Sequence, residues 1–163
     1  MHDNIKKKIN IAAKRQPADL VIKNCKIVNV FTHEIIEGDI AISDGKIAAV
    51  GNYSGEKEVD AEGRYALPGF INSHIHIESS FVSPEEFSRL VVPHGTTTII
   101  ADPHEIVNVC GMDGFDYMVK AGKNAALDIK YMIPSCVPCT PWEHAGAVVD
   151  SKAISEVINQ DKV

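Results

Sequence analysis

Over residues 70–77 the sequence reads as one β-strand on which His74 and His76 share a face, with Glu78 just beyond, while Ile75 and Ile77 take the other. Side chains on a strand alternate between its two sides, so one side is apolar and the other carries two imidazoles one residue apart on a stiff backbone. Imidazoles so placed can grip one divalent ion, since imidazole suits zinc, iron and related first-row metals. Taken alone, His-x-His reads more readily as two hydrogen-bonded structural histidines. Its neighbours change the balance.

After Leu67-Pro68-Gly69 the chain alternates strand and helix. Ser83-Pro84-Glu85-Glu86 has the cap, first-turn proline and early acids of a helix start, and that helix carries Phe87, Leu90 and Val91 before ending near His94-Gly95. A second strand is expected over 96–101, a second helix over 112–126, a third strand over 129–134 and a third helix from 151 to 160. Short connections between alternating strands and helices imply parallel strands joined by right-handed crossovers. In a parallel β/α barrel the chemistry sits at the C-terminal strand ends. The unusual polar residues fall at three such ends in succession: His74, His76 and Glu78; Asp102-Pro103-His104-Glu105; and Ser135-Cys136-Val137-Pro138.

Upstream, Ile5, Ile9, Ala12 and Ala13 are spaced as the apolar face of a helix that Pro17 stops. Short β-branched runs follow over 20–22, 27–31, 38–42 and 46–50, and Asp44-Gly45 between the last two is a hairpin signal, because a type I′ turn needs positive φ at both central positions. The expected organisation is an N-terminal amphipathic helix over 1–17, a small antiparallel β domain over 18–66, and over 67–163 the first three βα units of a (β/α)8 TIM-type barrel, an α/β fold left incomplete. A closed barrel takes about 250 residues, against 163 here. The apolar stripe of Ile154, Val157 and Ile158 has nothing downstream to cover it. The chain therefore reads as the N-terminal part of a larger enzyme.

Composition excludes other classes. With 45% hydrophobic and 23% charged residues the chain is ordinary globular material. No apolar run approaches the roughly 20 residues that cross a bilayer. Lys6-Lys7-Lys8 lacks the apolar core of a signal peptide and reads as the solvated side of a helix, so a cytoplasmic protein with no membrane partner is expected. A formal charge of -6 disfavours nucleic acid. Four cysteines in a chain of this length are no disulfide framework. Cys136 and Cys139 lack a second C-x-x-C pair and read as buried, unreactive thiols.

The order Pro68-Gly69-Phe70-Ile71-x-x-His74-x-His76, then Glu78-Ser79-Ser80, His94-Gly95-Thr96-Thr97-Thr98, Ala101-Asp102-Pro103-His104-Glu105-Ile106 and Pro134-Ser135-Cys136-Val137-Pro138 resembles the amidohydrolase superfamily of metal-dependent hydrolases, and within it the adenine deaminase family. The likeness runs from about Asp19 to the last residue. It implies attack of metal-activated hydroxide on C6 of adenine, with a carboxylate moving the proton and ammonia leaving to give hypoxanthine. It further implies a divalent metal, manganese with iron or zinc as alternatives, in a binuclear site of a complete enzyme that assembles as a homo-oligomer. His74 and His76 would hold the first metal. Glu78 and Glu105 would be the catalytic carboxylates, and Asp102, His104 and Ser79 would touch substrate or support the ligands, with an extra metal site as a further role for Glu78, Asp102, His104 and Glu105. The separate roles of Glu78, Asp102, His104 and Glu105 stay open. The remaining ligands of the family lie on later strands, so this chain alone is expected to be inactive. Cys139 and Trp142-Glu143-His144 depart from the family pattern, which bears on substrate detail.

Two other functions fit less well. An amidohydrolase acting on a cyclic amide or an acetylated sugar is disfavoured by Glu78-Ser79-Ser80 after the histidine pair. A catalytically dead scaffold is disfavoured by the presence of both His74 and His76.

Overall fold

A computed structural model describes residues 2–161 and 163; Met1 and Lys162 lie outside the described residues. The chain divides into two compact units, Met1–Pro68 and Gly69–Val163, each with its own core. No described helix is long and apolar enough to cross a membrane.

The first unit begins with α1 (His2–Ala12). Its end is a Schellman turn: Lys14 has φ 58°, its N–H donates to the carbonyl of Ile11, and the N–H of Arg15 donates to that of Asn10. The helix therefore stops well before Pro17. The buried face also differs from the expected one. Ile11 is fully buried, whereas Ile5 and Ile9 are exposed. The helix is turned so that Lys7, one turn before Ile11, reaches Asp19 at 2.9 Å and Asp44 at 3.4 Å. That row satisfies a lysine and buries an isoleucine together.

Strand β1 (Ala18–Asn29) is the centre of the sheet, with β2 (Glu34–Ser43) and β3 (Lys46–Gly51) antiparallel on one side. The β2–β3 hairpin turns on Asp44 (φ 49°) and Gly45 (φ 69°), the two positive values that a type I′ turn demands. The expectation of a purely antiparallel domain does not hold, because β4 (Gly55–Asp60) and β5 (Tyr65–Ala66) both pair with β1 in parallel. After β3 the chain returns to the open side of β1, where the charged and largely exposed β4 makes a suitable edge.

The two runs expected over 20–22 and 27–31 are one strand, interrupted by a bulge between Ile22 and Cys25 where Asn24 takes φ 53°. Buried Asp39 holds this bulge. It accepts from Lys23 Nζ at 2.6 Å and from the N–H groups of Asn24 at 3.1 Å and Tyr53 at 3.2 Å.

The second unit is a parallel sheet in the order β6 (Phe70–Ile75), β7 (Thr96–Ala101), β8 (Asp128–Tyr131). The helices are α2 (Pro84–Val91), α3 (His104–Ala121) and α4 (Ser151–Val157). The α2 start matches its sequence signal, with Ser83 Oγ accepting from the N–H of Glu86. A Cβ on Gly69 would fall on the Thr97 side chain, which is why β6 and β7 can approach closely at their start.

Ile77, Ile99, Val107, Phe115 and Ile129 are fully buried between sheet and helices. Tyr131 stands edge-on to Phe115, donates its hydroxyl to the Met118 carbonyl at 2.7 Å, and is pushed to a higher pKa by burial.

Several boundaries move. β6 ends at Ile75, and residues Ile77–Ser80 form a 3-10 turn closed by Phe81 at φ 61°. Helix α3 opens at His104, eight residues before the expected start, because a break at Gly111 (φ 61°, ψ −145°) hides its first turns from any periodic pattern. α4 ends at Val157 rather than 160, and its stripe is not bare: Val157 is buried and Ile154 packs on the same core, with only Ile158 exposed.

Candidate metal centre

The C-terminal ends of β6 and β7 bring His74, His76 and Asp102 together, with one potential ligand atom from each lying within 4.8 Å of the others. The parallel pairing does this: Ile75 faces Ala101 across the two strands, and the N–H of Asp102 donates to the Ile75 carbonyl. The His74 and His76 rings are 5.1 Å apart. His74 Nε2 is 3.6 Å from Asp102 Oδ2.

The donor set suits a divalent cation. Asp102 is only 9% exposed, and its Oδ1 is buried with no hydrogen-bond partner. A buried carboxylate oxygen without a partner is costly, and a cation at the centre of the triad would relieve that cost. Sequence reasoning left Asp102 open between substrate, support of the ligands and a further metal site, and the geometry puts it among the ligand candidates. The signal was available as Asp-Pro at a strand end, but its burial was not.

His76 is held from behind. Its Nδ1 lies 2.7 Å from the Asp102 carbonyl oxygen and 3.1 Å from Glu105 Oε2. Ser79 Oγ donates to Glu105 Oε1 at 3.1 Å. Glu78 Oε1 accepts the N–H groups of Glu105 at 3.1 Å and Ile106 at 3.3 Å. Sequence reasoning missed that cap entirely, since it links residues 27 and 28 positions apart.

The two carboxyls titrate in opposite directions. Burial, with the charge of Glu105 adding to it, raises Glu78 above the ordinary range. Burial works the same way on Glu105, but its own N–H, the Ser79 hydroxyl and the nearby His76 outweigh it, and Glu105 is lowered. The two environments thus drive the carboxyls apart, Glu78 upward and Glu105 downward.

His104 stands at the first position of α3, its Nδ1 3.9 Å from Asp102 Oδ2 and its Nε2 3.9 Å from Cys136 Sγ. Cys136 and Cys139 are exposed, contrary to the expectation of buried thiols. The strand ends at Tyr131 instead of continuing to 134, and both thiols lie in the irregular segment that follows it. Trp142 is exposed, and His94 lies at the opposite, N-terminal end of β7.

Comparison with known proteins places this site in context. The sequence pattern of the amidohydrolase family matches residues 65–162. The chain is 62% identical over 159 residues to adenine deaminase 2 of Desulfotalea psychrophila, covering 98% of this chain and 28% of that protein. It is 54% identical over 163 residues to adenine deaminase of Geobacillus kaustophilus, covering 100% and 28%. The chain thus spans little more than a quarter of the length of these curated relatives.

Among solved structures, N-acyl-D-glutamate deacylase from Bordetella bronchiseptica, complexed with zinc and a phosphonate inhibitor, superposes with TM-score 0.54 at 20% identity, over 72% of this chain and 30% of that one. D-hydantoinase from a Thermus species gives TM-score 0.54 at 24% identity, over 69% and 26%. At these identities the likeness is one of fold.

Proposed function

Because the chain belongs to the amidohydrolase family, we propose that it is the N-terminal part of an adenine deaminase, converting adenine and water to hypoxanthine and ammonia at a site that a further stretch of chain completes. The observation that carries this reading is identity of 62% and 54% to relatives named adenine deaminase, along nearly all of this chain. The unit Gly69–Val163 is read as the first three βα units of a TIM-type barrel, whose strand ends carry the site. Manganese as the metal, a second ion in the complete enzyme, a cytoplasmic location and a homo-oligomer belong to the same reading.

Each residue then has a task that the geometry supports. His74, His76 and Asp102 would hold a divalent ion. When bound there, such an ion supplies a strong nucleophile at neutral pH by lowering the pKa of water. His76 presents Nε2 to the site because its Nδ1 is engaged by the Asp102 carbonyl and Glu105. Glu105, half-exposed and kept ionised, lies with Oε2 against His76 Nδ1 and would orient that imidazole and balance positive charge on it. Ser79 fixes the other oxygen of that carboxylate. His104, two residues after Asp102, would meet the purine.

The test is to express the full-length protein that carries this chain, load it with Mn2+, and follow hypoxanthine and ammonia from adenine, with hydantoin, dihydrouracil and an N-acetylated amino sugar as competitors. Turnover of adenine alone, lost in His74→Ala and His76→Ala, is expected. Turnover of a cyclic amide in preference to adenine would overturn the reading.

A further inference from the structure

We infer that Glu78 is a positioning residue, which sets the His76 imidazole by capping the first turn of α3. The inference rests on the metal reading above. It differs from a proton-transfer role for Glu78, and it comes from accounting for the backbone donors at the start of that helix.

The first N–H groups of a helix have no partner within it. In α3 the N–H of His104 donates to the Asp102 carbonyl and that of Val107 to the Pro103 carbonyl. Pro103, in the cap position, provides no side-chain acceptor. The two donors between them, Glu105 and Ile106, both go to Glu78 Oε1. One carboxyl oxygen from the 3-10 turn after β6 therefore completes the helix start. The other oxygen, Oε2, is shut off from solvent. A group so engaged and so buried is poorly placed to meet a substrate arriving from the strand ends.

The cap closes a ring of contacts around His76. The 3-10 turn that bears Glu78 is tied to His76, since the N–H of Ser79 donates to the His76 carbonyl. The helix that Glu78 caps carries Glu105, whose Oε2 holds His76 Nδ1, and follows directly on Asp102, whose carbonyl is the other holder. Removing the Glu78 side chain would release the N–H groups of Glu105 and Ile106, free the first turn, and let both holders of the imidazole move. Partners that orient a metal-binding histidine influence metal affinity strongly.

The distinguishing feature is the acceptor oxygen, not the charge. Glu78→Gln keeps an acceptor at the same reach. Glu78→Asp falls short by a methylene, and Glu78→Ala has none. The experiment reads amide exchange at Glu105 and Ile106, the ring nitrogen shifts of His76, and the Mn2+ dissociation constant in this chain and its three variants.

In Glu78→Ala and Glu78→Asp the two amides are expected to exchange faster, the His76 nitrogens to shift, and Mn2+ to bind about 10- to 100-fold more weakly. Glu78→Gln is expected to stay close to the unmutated chain in all three. Unchanged β7 amides show that a variant is folded, and if Glu78→Ala does not fold, the Gln and Asp pair carries the comparison.

Equal damage from Gln and Ala would overturn the inference, since the charge would then be the feature in use. So would an Ala variant with unaltered amides and affinity. If the unmutated chain takes up no Mn2+, the metal reading fails by itself, and amide exchange with the His76 shifts still decides the positioning role.

Discussion

His76 Nδ1 lies 2.7 Å from the backbone carbonyl oxygen of Asp102. A carbonyl can only accept, so Nδ1 carries the proton and Nε2 keeps the lone pair that a metal needs. The tautomer of one candidate ligand is thus set by the backbone of the residue that contributes another.

This gives a direct expectation for the free protein. Nitrogen NMR of the neutral His76 ring should show a protonated Nδ1 and a bare Nε2, before any metal is added. The opposite tautomer would mean that the Asp102 carbonyl does not hold the ring.

Asp39 gives a pH dependence in the first unit. Burial works against its charge, but the hydrogen bond from Lys23 and those from the N–H groups of Asn24 and Tyr53 outweigh it, and its pKa is lowered. A lowered carboxyl contributes stability that is present above the ordinary carboxylate range and is lost as pH falls through the folded-state value. Asp39→Asn should cost about 2 kcal/mol at neutral pH, and should flatten the acid side of a urea-denaturation series followed through the first unit.

Gly111 is the break in α3, with φ 61° and ψ −145°, and a Cβ there would lie 3.0 Å from that of Ala147. Gly111→Ala should therefore destabilise by about 1–3 kcal/mol, seen as a lower denaturation midpoint. An unchanged midpoint would show that the break is not required.

What was legible in the sequence was local. Asp44-Gly45 encodes its turn in two residues, Ser83-Pro84 encodes a helix start in two, and the alternation around Ile75 encodes a strand. What was not legible depends on partners distant in the chain. The parallel placement of β4 is decided by which edge of β1 is open. The rotation of α1 toward Ile11 follows from Lys7 finding Asp19. The early start of α3 needs the cap from Glu78, and the later break at Gly111 disguises it. In the site, the residue types His74, His76, Asp102, Glu78 and Glu105 could be named from their motifs. Their division of labour follows from hydrogen bonds that no spacing records.

This chain alone should release no ammonia from adenine, even with Mn2+ supplied. Three donors from two strand ends leave about half of an octahedral ion's coordination open. Ammonia release above the protein-free rate would contradict the proposed need for further chain.

The central claim is that His74, His76 and Asp102 hold one divalent cation. Paramagnetic broadening by substoichiometric Mn2+ reads this even where binding is weak. The account expects signals of those three residues and their immediate neighbours to broaden first, and the effect to vanish in the His74→Ala, His76→Ala double variant. Broadening centred elsewhere, on the acidic edge strand β4 for example, or persisting undiminished in the double variant, would contradict it.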